Sequence, residues 1–248
     1  MSTGFLIGFI ALFLVQALTT PIFLRKEIPN PCLKSLIWKM VCSTIFIGTA
    51  VLAVFCSGNH TLFSTMMLIG FGFSWLGDFL LHVKAGDKLF FVLGLFSFMF
   101  GHICYITAYT SASMYFFPDA PFMGIPEMVA YILFICSGLF SLNNLKVEFG
   151  EAYLPCLIYM NVISVMLCKA CSLAFRIISS GVTDNPVFTA VVLISGAVMF
   201  VISDYTLSIL TFVKGIKKHG ALRNINIWTY FFGQMLLALT ILYIVPIA

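Results

Sequence analysis

Residues 187–213 read VFTAVVLISGAVMFVISDYTLSILTFV, a run long enough to cross a bilayer as a helix, in which Asp204 is the one charged residue. A second run, residues 61–83, carries Asp78 directly after the segment FGFSWLG. An ionised carboxylate at bilayer depth costs ~2.5–3.5 kcal/mol on insertion scales and commonly marks a functional site. The two stretches therefore predict a membrane protein whose chemistry centres on Asp78 and Asp204.

The composition extends this interpretation to the whole chain. Its 248 residues are 61% hydrophobic and only 9% charged, with a mean hydropathy of +1.09, whereas roughly a quarter of a soluble domain is charged. The net charge of +4 is spread over short loops without a basic stripe, so no nucleic-acid partner is expected. The eight cysteines are scattered through apolar segments and are interpreted as packing residues.

Eight apolar segments of about 20 residues alternate with turn sequences rich in Pro, Gly and Asn. We therefore predict an all-α polytopic membrane protein, a bundle of eight transmembrane helices that forms a single domain over residues 1–248. The predicted spans lie near residues 4–24, 33–56, 61–83, 88–110, 127–143, 150–172, 187–213 and 225–247.

The basic residues predict the orientation of these spans. Ten of the thirteen Lys and Arg residues fall in loops one, three, five and seven, while Lys39 lies just inside the second span. Lys169 and Arg176 are assigned to the surroundings of loop six. By the positive-inside rule, the odd-numbered loops are cytoplasmic and both termini are lumenal or exterior. The N-x-Thr sequon at Asn59 falls in loop two, on the predicted lumenal side.

Most of the strongly polar side chains inside the spans share one layer near the cytoplasmic ends of the helices. At ~1.5 Å per residue, both aspartates belong to this layer. Charged groups in lipid must pair or line a water-filled cavity, so we expect these residues to face one another. The candidate supporting residues are Lys39, His102, Tyr105, Tyr159, Asn161, Ser203, Tyr230 and Gln234. A purely structural role stays open, in which an aspartate bonds Lys39 and the others pack or join helices.

Several common designs of membrane site are excluded. The four histidines form no H-x-x-x-H pair for zinc, the last two spans hold no lysine for a Schiff base, and no G-x-S-x-G or P-loop occurs. Acid–base chemistry by carboxylates remains, or ion coupling by the same groups.

The third and seventh spans resemble each other. Gly70 and Gly196 each stand eight residues before an aspartate, and a small residue, Gly77 or Ser203, directly precedes it. This pattern suggests a parallel four-plus-four repeat.

The motifs on four spans resemble those of the YhhN family of membrane proteins. They are the Leu-Gly-Asp that ends at Asp78, the run Phe91-x-x-Gly-x-x-x-Phe-x-x-x-His102-x-x-Tyr105, the run Ser195-Gly-Ala-x-x-Phe-x-x-Ser-Asp204, and Tyr230-x-x-Gly-Gln234. The resemblance covers most of the chain. It departs from the family at Lys39-Met40, where Lys-Pro is often found.

The resemblance implies an eight-span hydrolase of the lysoplasmalogenase type, without a cofactor, in the endoplasmic reticulum membrane. Its lysophospholipid substrate would be a lysoplasmalogen, cleaved at the vinyl ether to a fatty aldehyde and glycerophosphoethanolamine or glycerophosphocholine. A vinyl ether hydrolyses through protonation of carbon and an oxocarbenium ion, which a pair of buried carboxylates can promote. We therefore expect one of Asp78 and Asp204 to donate the proton and the other to stabilise the cation, with Lys39 near the phosphate.

Two alternatives stay open. A proton-coupled or small-solute carrier would use the same two aspartates to bind protons or cations. A lipid-binding or scaffold protein would use neither for catalysis.

Overall fold

Eight long α-helices make up most of the computed structural model, in which residues 3–27, 31–216 and 220–245 are described. Within these residues, all eight are long and apolar enough to cross a membrane, which confirms the predicted all-α bundle. Lys217, Lys218 and the end of the predicted eighth span lie outside the described residues. The helices are α1 Thr3–Glu27, α2 Leu33–Ser57, α3 Leu62–Val83, α4 Lys88–Phe116, α5 Ile125–Asn144, α6 Tyr153–Ser180, α7 Pro186–Phe212 and α8 Gly220–Tyr243, with a 3-10 turn at Gly150–Ala152.

Helix α6 continues well beyond the predicted sixth span, which already held Lys169, and takes in Arg176, which was assigned to the surroundings of loop six. Both residues lie inside α6, and Lys169 is buried. Its Nζ lies 3.5 Å from Glu127 Oε1 at the start of α5 and donates to the Phe122 carbonyl. This pairing allows a charged residue to stay within the helix. The loop between α6 and α7 therefore begins after Ser180.

The loops that follow α1, α3, α5 and α7 lie together at one end of the bundle, called here the odd-loop end. Ion pairs join these loops and the helix ends beside them. They are Lys214–Glu148 at 2.8 Å, Lys88–Glu151 at 2.8 Å and Arg223–Glu27 at 3.6 Å.

The helix contacts of the first half of the chain are repeated in the second half. Helix α3 packs on α4 as α7 packs on α8, and α2 packs on α3 as α6 packs on α7. The halves meet where α2 contacts α8 and, in the same way, α6 contacts α4. This arrangement supports the four-plus-four repeat and gives Asp78 and Asp204 corresponding places in the two halves.

In each half of the chain, a pair of glycines brings the third and fourth helices into close contact. A Cβ on Gly70 would lie 2.4 Å from Tyr105 Cε1 and 3.1 Å from the Gly101 carbonyl oxygen of α4. Correspondingly, a Cβ on Gly196 would lie 3.1 Å from the Gly233 carbonyl oxygen of α8. Small residues at such crossings let helix backbones approach within the membrane. The paired glycines therefore fix how α3 and α7 are placed, and with them the aspartates.

The sequon residue Asn59 has a structural role. It is buried, and its side-chain amide donates to the carbonyls of Ile241 at 3.1 Å and Ile244 at 3.0 Å. These bonds tie the loop between α2 and α3 to the end of α8. Both amide hydrogens are therefore engaged within the fold rather than presented for a glycan.

Candidate functional site

Asp204 lies where α7 meets α4 and α6. It accepts a hydrogen bond from the Tyr159 hydroxyl, and His102 Nε2 lies 3.7 Å from its Oδ2. His102 Nε2 and the Tyr159 hydroxyl are 2.9 Å apart, so the three side chains form one cluster, called here the Asp204 group. The Asp204 side chain is 15% exposed, whereas that of His102 is 1% exposed. The carboxyl is thus the accessible member of the group.

Asp78 has different partners, contributed by α2 and α8. Lys39 Nζ lies 3.2 Å from its Oδ1, and the hydroxyls of Ser43 and Tyr230 donate to its Oδ2 at 2.6 and 2.7 Å. These four residues are called the Asp78 group. The Asp78 side chain is only 3% exposed. A buried ion pair is stable only when further hydrogen bonds satisfy its remaining lone pairs, and this group supplies them.

Aromatic rings separate the two groups, which have no residue in common. The Tyr230 ring packs edge-on against Phe200 with 5.4 Å between centroids, and Phe200 packs against His102 at 4.6 Å. Edge-to-face packing of this kind fixes ring positions. The two carboxylates are thus connected through a layer of rings rather than bonded directly to each other.

A further polar contact, between Tyr105 and Gln234, lies beside these two groups. The Tyr105 hydroxyl donates to Gln234 Oε1 at 3.1 Å and lies 3.4 Å from Ser74 Oγ. Gln234 is fully buried, one turn after Tyr230 on α8. Its Nε2 and the Nδ1 of His102 have no hydrogen-bond partner in the described part of the chain. Both atoms are enclosed by the fold, and neither residue lines the cavity described below.

Asn161 and Ser203 lie apart from both groups, contrary to expectation. Asn161 accepts a hydrogen bond from Tyr131 of α5. Ser203 receives the Asn226 side-chain amide, which lies 3.0 Å from its hydroxyl and 2.8 Å from its carbonyl oxygen. Both residues share the depth of the aspartates but face a different side of their helix. They join helices instead of completing the site.

Two neighbours of the site were missed in the sequence. Ser43 follows Lys39 by one helical turn, so the i, i+4 spacing could have indicated that both reach one partner. His82, one turn after Asp78, is buried in α3, where its Nε2 lies 2.8 Å from Ser35 Oγ. Among the described residues, no three His, Cys, Asp or Glu side chains come together as metal ligands would.

An apolar cavity leads from the odd-loop end to the Asp204 group. It lies between α4, α5, α6 and α7, and Asp204 and Tyr159 are among its lining residues, whereas Asp78 and Lys39 are not. The walls are mainly aromatic and aliphatic, and include Phe91, Phe98, Phe134, Leu142, Phe149 and Phe212. The cavity therefore combines a surface suited to a hydrocarbon chain with one carboxyl group.

Comparison with known proteins identifies a family and a relative. The model of the YhhN family matches residues 34–241. A protein of Dictyostelium discoideum named "Lysoplasmalogenase homolog" is 24% identical over 204 residues. That match covers 74% of this chain and 65% of the relative, so the chain spans just under two thirds of the relative's length. No solved structure matches the chain.

Proposed function

Because the chain belongs to the YhhN family, we propose that it is a membrane-embedded hydrolase of the lysoplasmalogenase type. The reaction is cleavage of the vinyl-ether bond of a lysoplasmalogen to a fatty aldehyde and glycerophosphoethanolamine or glycerophosphocholine. The observation that carries the proposal is Asp204, a carboxyl group that lines an apolar cavity. The walls suit a single alkenyl chain, and a carboxyl group can donate and accept the proton that the reaction needs.

The first step is a proton transfer to carbon. The protonated carboxyl of Asp204 donates to the vinyl carbon remote from the ether oxygen, and the π electrons of the double bond form the new C–H bond. The resulting positive charge is shared between the other vinyl carbon and the ether oxygen. The Asp204 carboxylate that remains beside this oxocarbenium ion stabilises it, as carboxylates do in glycosidases.

The second step adds water. Water attacks the oxocarbenium carbon, and Asp204 takes up the proton that the water releases, which restores the starting acid. The hemiacetal then loses its hydroxyl proton while its bond to the glycerol oxygen breaks and that oxygen is protonated. The products are the fatty aldehyde and glycerophosphoethanolamine or glycerophosphocholine, and one water is consumed. Tyr159 and His102 hold the carboxyl in place throughout, because both contact it directly.

Asp78 is proposed to be a positioning residue. Its carboxylate binds Lys39 and orients the Tyr230 hydroxyl, and the Tyr230 ring packs on Phe200, which in turn supports His102. Support for dividing the roles in this way comes from the cavity, which Asp204 lines and Asp78 does not. Lys39 is already engaged by Asp78, so a contact of Lys39 with the phosphate forms no part of this mechanism.

The substrate is proposed to enter from the cytoplasmic leaflet. The cavity reaches the odd-loop end through Phe149 and Phe212, and the basic residues of the odd-numbered loops favour a cytoplasmic location for that end. A lysophospholipid in this leaflet would present its vinyl ether a short distance below its headgroup, at the depth of Asp204. The endoplasmic reticulum is the proposed membrane.

Purified protein tests the reaction directly. We expect it to release aldehyde from lysoplasmenylethanolamine and none from the matched lipid with a saturated ether. In D2O, the aldehyde should carry one deuterium on the carbon next to the carbonyl, because that carbon receives the exchangeable proton. The four-plus-four repeat is the observation that favours a carrier. Proton or solute flux in liposomes, without any aldehyde release, would support the carrier and contradict the hydrolase.

A further inference from the structure

We propose that one face of α7 and the rim of the cavity hold the glycerol and the zwitterionic headgroup of the substrate, an inference that rests on the proposed function. Asp204, Ser208 and Thr211 stand at positions i, i+4 and i+7 of α7, and all three line the cavity. Residues at this spacing share one face of a helix. The face forms a polar stripe that runs through an otherwise apolar cavity, from Asp204 toward the odd-loop end.

The spacing of this stripe matches the substrate. At a rise of ~1.5 Å per residue, Ser208 lies about 6 Å and Thr211 about 10 Å beyond Asp204 along α7. An extended chain advances roughly 1.2 Å per bond. The hydroxyl-bearing glycerol carbon, four bonds from the carbon that is protonated, is therefore about 5 Å away, and the phosphorus, seven bonds away, about 8 Å. With the vinyl ether at Asp204, the glycerol hydroxyl reaches Ser208 and the phosphate approaches Thr211.

Charges of both signs stand at the rim of the cavity, where the headgroup would lie. Lys214 Nζ and Glu148 Oε2 are 2.8 Å apart, and so are Lys88 Nζ and Glu151 Oε2. Lys214 follows the cavity-lining Phe212 by two residues. The backbone amide of Glu148 donates to the Phe212 carbonyl at 3.4 Å, which places this loop against the end of α7.

These rim ion pairs can exchange partners readily. All four side chains are more than half exposed, and exposed ion pairs contribute little to stability. A phosphate can therefore replace a glutamate beside Lys88 or Lys214, while the ammonium group of the lipid takes the place of a lysine beside Glu148 or Glu151. The rim thus has the charge pattern that a phosphoethanolamine or phosphocholine group would recognise.

Two other basic groups near this end are placed less well for the headgroup. Lys39 is buried against Asp78, and Arg223 pairs with Glu27 on the side formed by α1 and α8. The helices that carry them, α2 and α8, contribute no lining residue to the cavity, whereas Lys88 and Lys214 lie close in the chain to the lining residues Phe91 and Phe212. Lys88 and Lys214 are accordingly assigned the phosphate, and Ser208 and Thr211 the segment between phosphate and vinyl ether.

The test compares two substrates on Lys88→Gln/Lys214→Gln. One substrate is lysoplasmenylethanolamine, and the other is 1-alkenylglycerol, which lacks the headgroup. We expect KM for the phospholipid to rise about five- to tenfold with little change in kcat, and kinetics on the alkenylglycerol to stay as in wild type. Thr211→Val, a nearly isosteric change, should raise KM in the same selective way. Lys34→Gln removes an exposed lysine at the start of α2, away from the cavity, and is the matched control.

Two results overturn the proposal in distinguishable ways. If wild type releases aldehyde but the double variant leaves both KM values unchanged, or raises them equally, the headgroup does not bind at this rim and the hydrolase activity stands. If wild type releases aldehyde from neither substrate, the proposed function fails and the headgroup site fails with it.

Discussion

Lys39 Nζ lies 3.2 Å from Asp78 Oδ1, with both side chains buried between α2 and α3. Asp204, at the corresponding place on α7, is bonded instead by the Tyr159 hydroxyl and faces His102. The repeated fold therefore offers two aspartates in different surroundings. One is neutralised and enclosed by a lysine and two hydroxyls, and the other lines a cavity. This difference is the basis for assigning the chemistry to Asp204.

Removing Lys39 should destabilise the protein more than removing both partners of the pair. Lys39→Met leaves the Asp78 carboxylate buried without a counter-ion, which typically costs about 3–5 kcal/mol. Lys39→Met/Asp78→Asn removes the uncompensated charge and should recover much of that loss. The measurement is the thermal unfolding midpoint in detergent. A double variant as unstable as the sum of the single variants would contradict a direct ion pair.

The glycine crossing between α3 and α4 should tolerate no side chain. A Cβ at Gly70 meets Tyr105 at 2.4 Å and the Gly101 carbonyl oxygen at 3.1 Å. Gly70→Ala should therefore cost about 1–3 kcal/mol, as overpacking does. Gly72 is on the same helix with no atom within 4 Å of its Cβ position, so Gly72→Ala should be neutral or slightly stabilising. Equal unfolding midpoints for the two variants would show that the helices are not packed as described.

Filling the cavity should reduce activity without disturbing the fold. Gly138 of α5 lines the cavity, and the nearest atom to its Cβ position is Met160 Sδ at an ordinary 3.7 Å. Gly138→Leu should lower kcat/KM for lysoplasmenylethanolamine about tenfold or more, since the added side chain occupies space needed by the alkenyl chain. Gly48→Leu, on α2 and outside this cavity, is the control. Normal activity of folded Gly138→Leu would place the substrate elsewhere.

Asn59 should carry no glycan, because its amide is buried and bonded to the end of α8. Protein produced in eukaryotic cells should keep its mass after treatment with an endoglycosidase. Asn59→Ala should lower stability by about 1–3 kcal/mol, the usual effect of leaving buried carbonyls without donors. A glycan at Asn59, or an unchanged unfolding midpoint for the alanine variant, would contradict this role.

The sequence was sufficient for the span count and for part of the site. Long apolar runs predict the eight helices, and Lys39 was correctly placed as a possible partner of an aspartate because it is the basic residue at that depth. Depth along a helix does not give the direction of a side chain around the helix axis. For that reason Asn161 and Ser203 were grouped with the aspartates although they face other helices.

Contacts between helices explain what the sequence could not show. The glycine crossings Gly70–Gly101 and Gly196–Gly233 set the rotation of α3 and α7, and this rotation decides which aspartate faces the cavity. Lys169 falls within the predicted sixth span, where its neighbours in the sequence offer it no acidic partner. Its partner Glu127 lies on another helix, 3.5 Å away, and only the fold brings the two together.

The most direct measurement of the role of Asp204 is the rate of aldehyde release at saturating lysoplasmenylethanolamine by purified Asp204→Asn and Asp78→Asn, each with an unfolding midpoint recorded. If Asp204 is the general acid, the rate of Asp204→Asn should be about 10²–10⁴-fold lower than that of wild type, which is the usual contribution of acid–base catalysis. The variant should remain folded. Asp78→Asn should lose less, because it only positions Tyr230 and its neighbours. Folded Asp204→Asn with the wild-type rate would contradict the proposed mechanism.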